Sequence, residues 1–212
     1  LEAAAGNAGG AGLDVAEVFS TFLYTGTGSN QTITNGIDLS GEGGLVWSKA
    51  RSATKNNAFV DTVRGSNKYL ESNTTVVQGT AANIVTAFNS NGYTAGNGGY
   101  AGENGTDYAS WTFRKAKKFF DIVTYTGNGT SGRGIAHNLG SVPGMIIIKR
   151  SDGTSNWIVY HSGLDSVSPE DYYFYLDATN ARIPDVTMWD STAPTDTVFT
   201  VGNDNAVNGG GS

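Results

Sequence analysis

Residues 108–129 read YASWTFRKAKKFFDIVTYTGNG, and this stretch determines how the rest of the chain is interpreted. Residues 108–114 have the aromatic and β-branched composition of a strand, and the basic segment 114–118 follows them. Residues 120–126 (FDIVTYT) again have strand composition and lead into the turn signal 127–129 (GNG). The stretch therefore ends one strand-rich unit and begins another.

Short strand-like segments precede this stretch and are separated by turns rich in Gly, Asn and Ser. They cover residues 18–25, 31–33, 45–49, 58–64, 68–71, 84–89 and 93–94. Asn91 and Gly92 give the strongest hairpin signal in the chain. Such regularly spaced short strands predict a β-sandwich. No window has convincing helical periodicity, and residues 80–87 favour at most one helical turn.

The composition agrees with this fold class and excludes several functions. The 212 residues include 30 Gly but 4 Pro and no Cys, so disulfides and thiol nucleophiles are excluded. The net charge of −6 disfavours nucleic-acid binding, because an acidic surface repels phosphate. No apolar run approaches the roughly 18–20 residues that a membrane-spanning helix needs, so we predict no membrane insertion.

The second half of the chain repeats the first. The matched segments are 24–26 with 125–127, 44–49 with 144–149, 57–60 with 156–159, 69–71 with 175–177, and 87–88 with 198–199. A period near a hundred residues indicates a duplicated domain, and the drift between matches predicts an insertion around 162–172. We therefore predict an Ala/Gly-rich arm or linker (1–14), a first β-sandwich domain (15–117) and a second one (118–212).

The second copy is expected to be incomplete. The last match places the counterpart of strand 108–114 at about residue 219, beyond Ser212. A sandwich without its closing strand has an unpaired edge and an open core, which is costly. The expectation is that either a longer chain or another chain supplies this strand.

Catalytic and metal-binding motifs are weak. Residues 127–132 (GNGTSG) fit a dinucleotide-binding glycine pattern, but no helical pattern follows, so we predict a turn. His137 and His161 have no second ligand at metal spacing. The acidic residues do not form the facing pair that a glycosidase needs. We predict no enzyme activity, no catalytic residue and no metal site or cofactor, with Ca²⁺ in Asp- and Asn-rich loops left open.

The aromatic residues suggest one candidate ligand site. Residues 172–175 read YYFY, so two of the four side chains must face outward on a strand. Sugars bind apolar pockets with a few polar groups. The candidate ligand-binding residues are therefore Trp157, Tyr173, Tyr175 and Trp189. Packing within the sheet or between subunits is the competing interpretation, and the preferred one.

Four further features have structural interpretations. We expect Trp47 and Trp111 to lie in the core, Asp61 and Arg64 to pair and fix a bend, and the basic cluster at 114–118 to be a solvated linker face.

Several segments together resemble a domain of bacteriophage tail-fibre and other virion proteins, especially those of marine phages. They are 24–28 (YTGTG), 44–49 (GLVWSK), 59–65 (FVDTVRG), 68–75 (KYLESNTT), 86–94 (TAFNSNGYT) and 108–116 (YASWTFRKA). The resemblance covers residues 18–116 well. It is looser over 119–207, where LGSVPGMIIIK at 139–149 is the clearest block. Ser48 and the insertion near 165 depart from the family pattern.

The resemblance implies tandem concanavalin-A-like jelly rolls, here with the second lacking its closing strand. It implies a virion location and a structural role in a tail fibre or similar appendage that presents lectin-like domains for host-surface attachment. The alternatives are a purely structural head fibre or capsid decoration protein, and a polysaccharide depolymerase. The expected partners are other virion proteins through the N-terminal arm, further copies in a homotrimer, and a host-surface glycan.

Overall fold

The computed structural model describes residues 13–210, and these form an all-β protein built from antiparallel sheets. We call residues 15–117 the first unit and residues 118–210 the second unit. Strands of the first unit are β1 (Phe19–Thr25), β2 (Gln31–Thr34), β3 (Gly44–Ala50), β4 (Ala58–Asp61), β5 (Lys68–Glu71), β6 (Gly79–Thr80), β7 (Val85–Asn89), β8 (Gly92–Ala95) and β9 (Asp107–Arg114). Strands of the second unit are β10 (Arg133–Ala136), β11 (Met145–Ile148), β12 (Ile158–His161), β13 (Tyr172–Tyr175), β14 (Ile183–Pro184) and β15 (Val198–Val201).

Helical structure is limited to short turns within these residues. It comprises α1 (Val15–Val18), α2 (Val186–Trp189), α3 (Asn205–Asn208) and a 3-10 turn at Pro169–Asp171. The carboxylates of Asp14, Asp185 and Asp204 accept hydrogen bonds from the first turns of the three α-helices, which fixes where each begins. No helix of residues 13–210 has the length and apolar character needed to cross a membrane.

The first unit is a sandwich of two sheets. Its large sheet has the order β1-β9-β3-β4-β5-β6 and its small sheet the order β2-β8-β7. β9 is central, because it pairs with a strand on each side. Against β1 the pairing runs from Phe113 with Phe19 to Asp107 with Thr25, and against β3 it runs from Arg114 with Gly44 to Tyr108 with Ala50. Alternate residues of both sheets point inward and form a buried core that contains Ile33, Val46, Val60, Val85 and Tyr93.

The second unit has the same plan with fewer strands. Its larger sheet has the order β11-β12-β13-β14, and β10 pairs with β15 in a two-stranded sheet. Ile135, Ile148, Tyr160, Trp189 and Phe199 belong to its buried core. Met188 of helix α2 takes the place of Ile84, the residue just before β7, since Gly202 N donates to Met188 O as Gly96 N donates to Ile84 O.

Hydrogen bonds at equivalent places support the predicted internal repeat. Ser162 N donates to Gly144 O at 2.9 Å, as Thr62 N donates to Gly44 O at 3.0 Å. The pairing of Ile146 with Tyr160 likewise matches that of Val46 with Val60. The predicted match of 44–49 with 144–149 therefore agrees with the strand pairing.

Three of the predicted matches were wrong in register. Trp157 corresponds to Asn57 rather than Ala58, because β12 follows β4 with an offset of 100. A one-residue shift exchanges the two faces of a strand, so it moves Trp157 from the inner to the outer face. Tyr175 corresponds to Glu71 because both pair with the first residue of the preceding strand. Phe199 corresponds to Tyr93, which pairs with Ile33 as Phe199 pairs with Ile135.

The predicted strand at 120–126 is absent from the described structure. In the first unit the equivalent strand β1 is held by seven pairs with β9. No described segment takes the place of β9 in the second unit, so 121–128 runs without strand pairing. A strand needs a partner for its backbone groups, which local composition does not provide.

The other predicted strands were found with small changes at their ends. Strand 58–64 stops at Asp61, because the Asp61 carboxylate accepts hydrogen bonds from Val63 N and Arg64 N and turns the chain. The two-residue strand β6 was not predicted. The predicted arm at 1–14 lies mostly outside the described residues, and its end, Asp14, caps α1.

Candidate functional site

A large cavity lies at the joint between the two units, and we call it the joint cleft. Its volume is about 880 Å³. One wall is the outer face of the large sheet of the first unit, and the other consists of residues 118–127 and the unpaired edge of β11. The lining is largely apolar and includes Leu45, Trp47, Phe59, Phe113, Val123, Tyr125, Met145, Ile147 and Trp157.

Trp157 joins the two units at one end of this cleft. Its indole packs edge-on against Phe59, with 5.2 Å between ring centroids, and belongs to a buried cluster with Phe59 and Leu70. Its Nε1 donates a 2.8 Å hydrogen bond to the backbone carbonyl of Glu71. Two backbone bonds lie beside it, from Gln78 N to Ser151 O and from Ser155 N to Thr75 O. The units are therefore attached by a satisfied, buried contact.

A buried ion pair forms part of the cleft wall on the first unit. The Arg64 Nε donates to the Asp61 carboxylate at 2.6 Å, and the two side chains are 13% and 4% exposed. Arg64 also donates to Gln78 Oε1 and to Phe59 O. The predicted pair and its bend are confirmed, and the pair is largely buried.

Asp121 fixes the chain where it enters the second unit. Burial alone would raise the pKa of Asp121, but hydrogen bonds from Asn138 N, Lys115 and Ile122 N outweigh burial and hold that pKa below its usual value. The Lys115 ammonium lies 3.1 Å from the carboxylate. Lys115 is thus ion-paired, and the basic cluster is not a uniformly solvated face as predicted.

Lys149 is another cation that lines the cleft. Burial lowers its pKa, while the nearby Asp177 charge opposes that effect. The Lys149 ammonium donates to the backbone carbonyls of Thr75 and Arg150. It therefore contributes to the contact between the units.

The four aromatic residues predicted to bind a ligand lie in two different places. Tyr173 and Trp189 are 5% and 2% exposed in the core of the second unit, and Tyr175 is partly buried against that core. The hydroxyl oxygens of Tyr173 and Tyr175 are 3.1 Å apart, which places both on the inner face of β13. Trp157 is 3% exposed at the joint. In this conformation the four rings do not form an exposed surface for a sugar.

Trp47 and Trp111 were expected in the core but lie on the outer face of the large sheet. They are half-buried, with their ring centroids 5.2 Å apart. This face is covered in part by the second unit, which is why its residues are as apolar as those of a core.

The remaining motifs have structural roles. The turn predicted at 127–132 is confirmed, because no helix opens there and Gly129 and Gly132 have φ of 69° and 74°. His137 is buried with its Nε2 3.2 Å from Thr195 O. The exposed His161 accepts from Gly163 N at the end of β12. Residues 13–210 contain no group of three His, Asp or Glu side chains that could hold a metal ion.

Sequence reasoning missed the joint cleft. The continuous apolar run Met145–Ile148 was the available signal, because an alternating pattern would mark a strand with one solvated face. Met145 and Ile147 are 51% and 40% exposed in the cleft. This run has the composition of a strand covered on both faces.

Comparison with known proteins gives one match. The family described as a domain of unknown function (DUF7483) matches residues 14–212, which is nearly the whole chain. The chain therefore belongs to the DUF7483 family. No curated protein and no solved structure matches it.

Proposed function

We propose that this chain is a structural component of a bacteriophage virion, in a tail fibre or a similar appendage. The proposal starts from the similarity of its motifs to those of phage virion proteins. The observation that carries it further is the attachment of the two units through Trp157, Phe59 and Leu70. Contacts between domains are usually polar and permit relative motion. A buried apolar contact instead suits a spacer that must keep its geometry.

The purely structural role is favoured over host attachment through a glycan. The aromatic side chains that suggested sugar binding are engaged in packing, including Trp157 and Trp189. A depolymerase needs a facing carboxylate pair, and neither Asp61 nor Glu71 is free, because each is held by several hydrogen bonds. In this role the copies associate with one another, and we propose a trimer attached to other virion proteins through the N-terminal arm.

The test is to locate the chain on particles of a phage that encodes it. Mass spectrometry of density-gradient-purified virions should detect the chain in a constant ratio to the major capsid protein. Immunogold electron microscopy should then place it on the tail or the head. Presence in the lysate with loss from the purified particles would contradict the proposal. A stable monomer in light scattering at micromolar concentration would contradict the trimer alone.

A further inference from the structure

We propose that the joint cleft is an acceptor site for one β-strand, which would lie between residues 120–127 and β11 and run antiparallel to both. The proposal is independent of the virion role. It rests on the first unit, where β9 fills the equivalent place between β1 and β3.

Both sides of the slot have free backbone groups. β11 is an edge strand that pairs with β12 alone, whereas its counterpart β3 pairs on both sides. Across the cleft, the backbone N–H groups of Val123, Thr124 and Tyr125 make no hydrogen bond to residues 13–210. Unpaired edges of this kind accept an added strand, as in β-augmentation.

The floor of the slot is the core of the second unit. Ile146, Ile148, Val123, Tyr125 and Phe199 line the cleft and also belong to that core or pack against it. In the first unit, the inward side chains of β9 close the matching core. These are Tyr108, Ser110 and Thr112, and each is 0% exposed. The cleft is therefore the opening that such a strand would close.

The chain path at the end of the second unit leads to this slot. Tyr125 Oη donates to Val207 O at 2.6 Å, as Tyr24 Oη donates to Ala101 O at 2.8 Å. Gly129 N donates to Asn208 O as Gly28 N donates to Gly102 O. Both bonds place 207–208 where 101–102 lie in the first unit, just before the turn that leads into β9.

The occupant is an extended polypeptide of about eight residues with an apolar outward face and an uncharged inward face. Its inward side chains would meet Ile146 and Ile148, and its outward side chains would meet Trp47 and Phe59 of the first unit. A strand covered on both faces reads as a nearly continuous apolar run. Asp107–Arg114 of this chain (DYASWTFR) is the probe that the internal repeat provides. Its outward Ala109, Trp111 and Phe113 are apolar, and its inward Tyr108, Ser110 and Thr112 are uncharged.

The test attaches this probe to the whole chain. We compare the unmodified chain with a version that carries DYASWTFR directly after Ser212. A control version carries the same extension with proline at its third and sixth positions, because proline cannot donate to a strand ladder. The readout is amide hydrogen exchange at residues 122–126 and 145–148, together with the melting temperature.

The extension should slow amide hydrogen exchange at 122–126 and at 145–148 by at least about tenfold. It should also raise the melting temperature by several degrees, because it adds one strand to the cooperative fold. The proline control should do neither. Ile147→Lys should abolish the increase in protection and in melting temperature, because it places a charge inside the filled slot. Ile147 is 40% exposed when the slot is open, so the substitution should not disrupt the fold of the chain without the extension. The free peptide should act more weakly, because attachment raises its effective concentration to about the millimolar range.

Three results would overturn the proposal. The first is an extension that changes neither edge. The second is equal protection by the proline control, which would indicate non-specific apolar contact. The third is protection of both edges in a concentration-dependent dimer of the unmodified chain that the extension does not displace, which would mean that the slot is covered by the surface of a second copy and not by a single added strand.

Discussion

The indole nitrogen of Trp157 donates a hydrogen bond of 2.8 Å to the backbone carbonyl of Glu71, and this bond crosses from the second unit to the first. Trp157 is 3% exposed. When a buried carbonyl loses a hydrogen-bond donor, its desolvation is no longer compensated, and the folded state is destabilised. The bond therefore couples the stability of the two units.

Trp157→Phe should destabilise the protein by about 1–3 kcal/mol, because it removes the shorter of two hydrogen bonds to the buried Glu71 carbonyl and leaves only the 3.5 Å bond from Thr74 N. It should also increase hydrogen exchange at Gln78 and Ser155, whose backbone bonds bridge the units beside it. Urea unfolding gives the first quantity and exchange mass spectrometry the second.

Trp189→Phe is the matched control for this prediction. Trp189 Nε1 donates to Tyr172 O at 3.1 Å, so the same chemical change falls within the second unit. It should cost a similar free energy of unfolding but leave exchange at Gln78 unchanged. Equal exchange in the two variants would mean that Trp157 does not couple the units.

Arg64→Ala should cost about 3–5 kcal/mol, because it leaves the Asp61 carboxylate buried without its cation. Lys55→Ala is its control, since Lys55 pairs with Glu103 at 3.0 Å but the two side chains are 36% and 46% exposed. Exposed pairs contribute about 0–1 kcal/mol. Chemical denaturation measures both, and similar losses would show that burial of the Asp61 pair is unimportant.

The fold was predictable where the signal is local. Val85–Asn89 and Gly92–Ala95 form the expected hairpin at Asn91 and Gly92, since that turn chemistry fixes strand geometry without distant contacts. The absence of the strand expected at 120–126 could not be predicted, because strand pairing depends on a partner elsewhere in the fold. The strand register could not be predicted from the sequence either. Matching aromatic residues between the two halves does not show whether Trp157 corresponds to Asn57 or to Ala58.

The candidate site was less predictable than the fold. Trp157 and Trp189 were predicted as candidates for ligand binding, but both are buried. The sequence does not distinguish an exposed indole from a buried one whose N–H donates to a carbonyl. The joint cleft is formed by segments far apart in sequence, such as Trp47 and Ile147. Its existence follows from the arrangement of the two units, and the apolar run Met145–Ile148 is the local pattern that indicates a covered strand there.

Asp121 should make stability depend on pH on the acid side. Its folded pKa lies below the ordinary value of 3.8, so its carboxylate stabilises the fold above that value. This stabilisation is lost as pH falls through the folded pKa. Asp121→Asn should therefore cost about 1–3 kcal/mol at neutral pH and make the decline in stability below pH 4 less steep, as measured by thermal unfolding across pH.

Asp196→Asn provides the comparison, because Asp196 is exposed in the loop before β15. This variant should keep the stability of the unmodified protein at neutral pH, because an exposed side chain contributes little to it. An Asp121→Asn profile parallel to that of the unmodified protein would show that the Asn138, Lys115 and Ile122 contacts do not lower the pKa.

Asn208 anchors the turn that brings the chain to the joint cleft. It is 1% exposed, and its amide donates to Thr130 O and to Gly202 O, both at 2.8 Å. Its side-chain oxygen accepts from Asn128 N at 3.0 Å. Asn208→Ala leaves the buried Gly202 carbonyl without this partner and should cost about 1–3 kcal/mol. Asn128 and Thr130 are exposed, so water can replace the bonds that they lose.

Asn203→Ala is the control for this change, because Asn203 is exposed on the neighbouring turn and should change stability by less than about 0.5 kcal/mol. Urea unfolding compares the two variants, and amide exchange at Gly129, whose N–H donates to Asn208 O, reports on the turn itself. We expect faster exchange at Gly129 in Asn208→Ala alone. Unchanged exchange there would mean that backbone bonds hold the turn without the Asn208 side chain, and that the approach to the cleft is set by Val207 and Tyr125 instead.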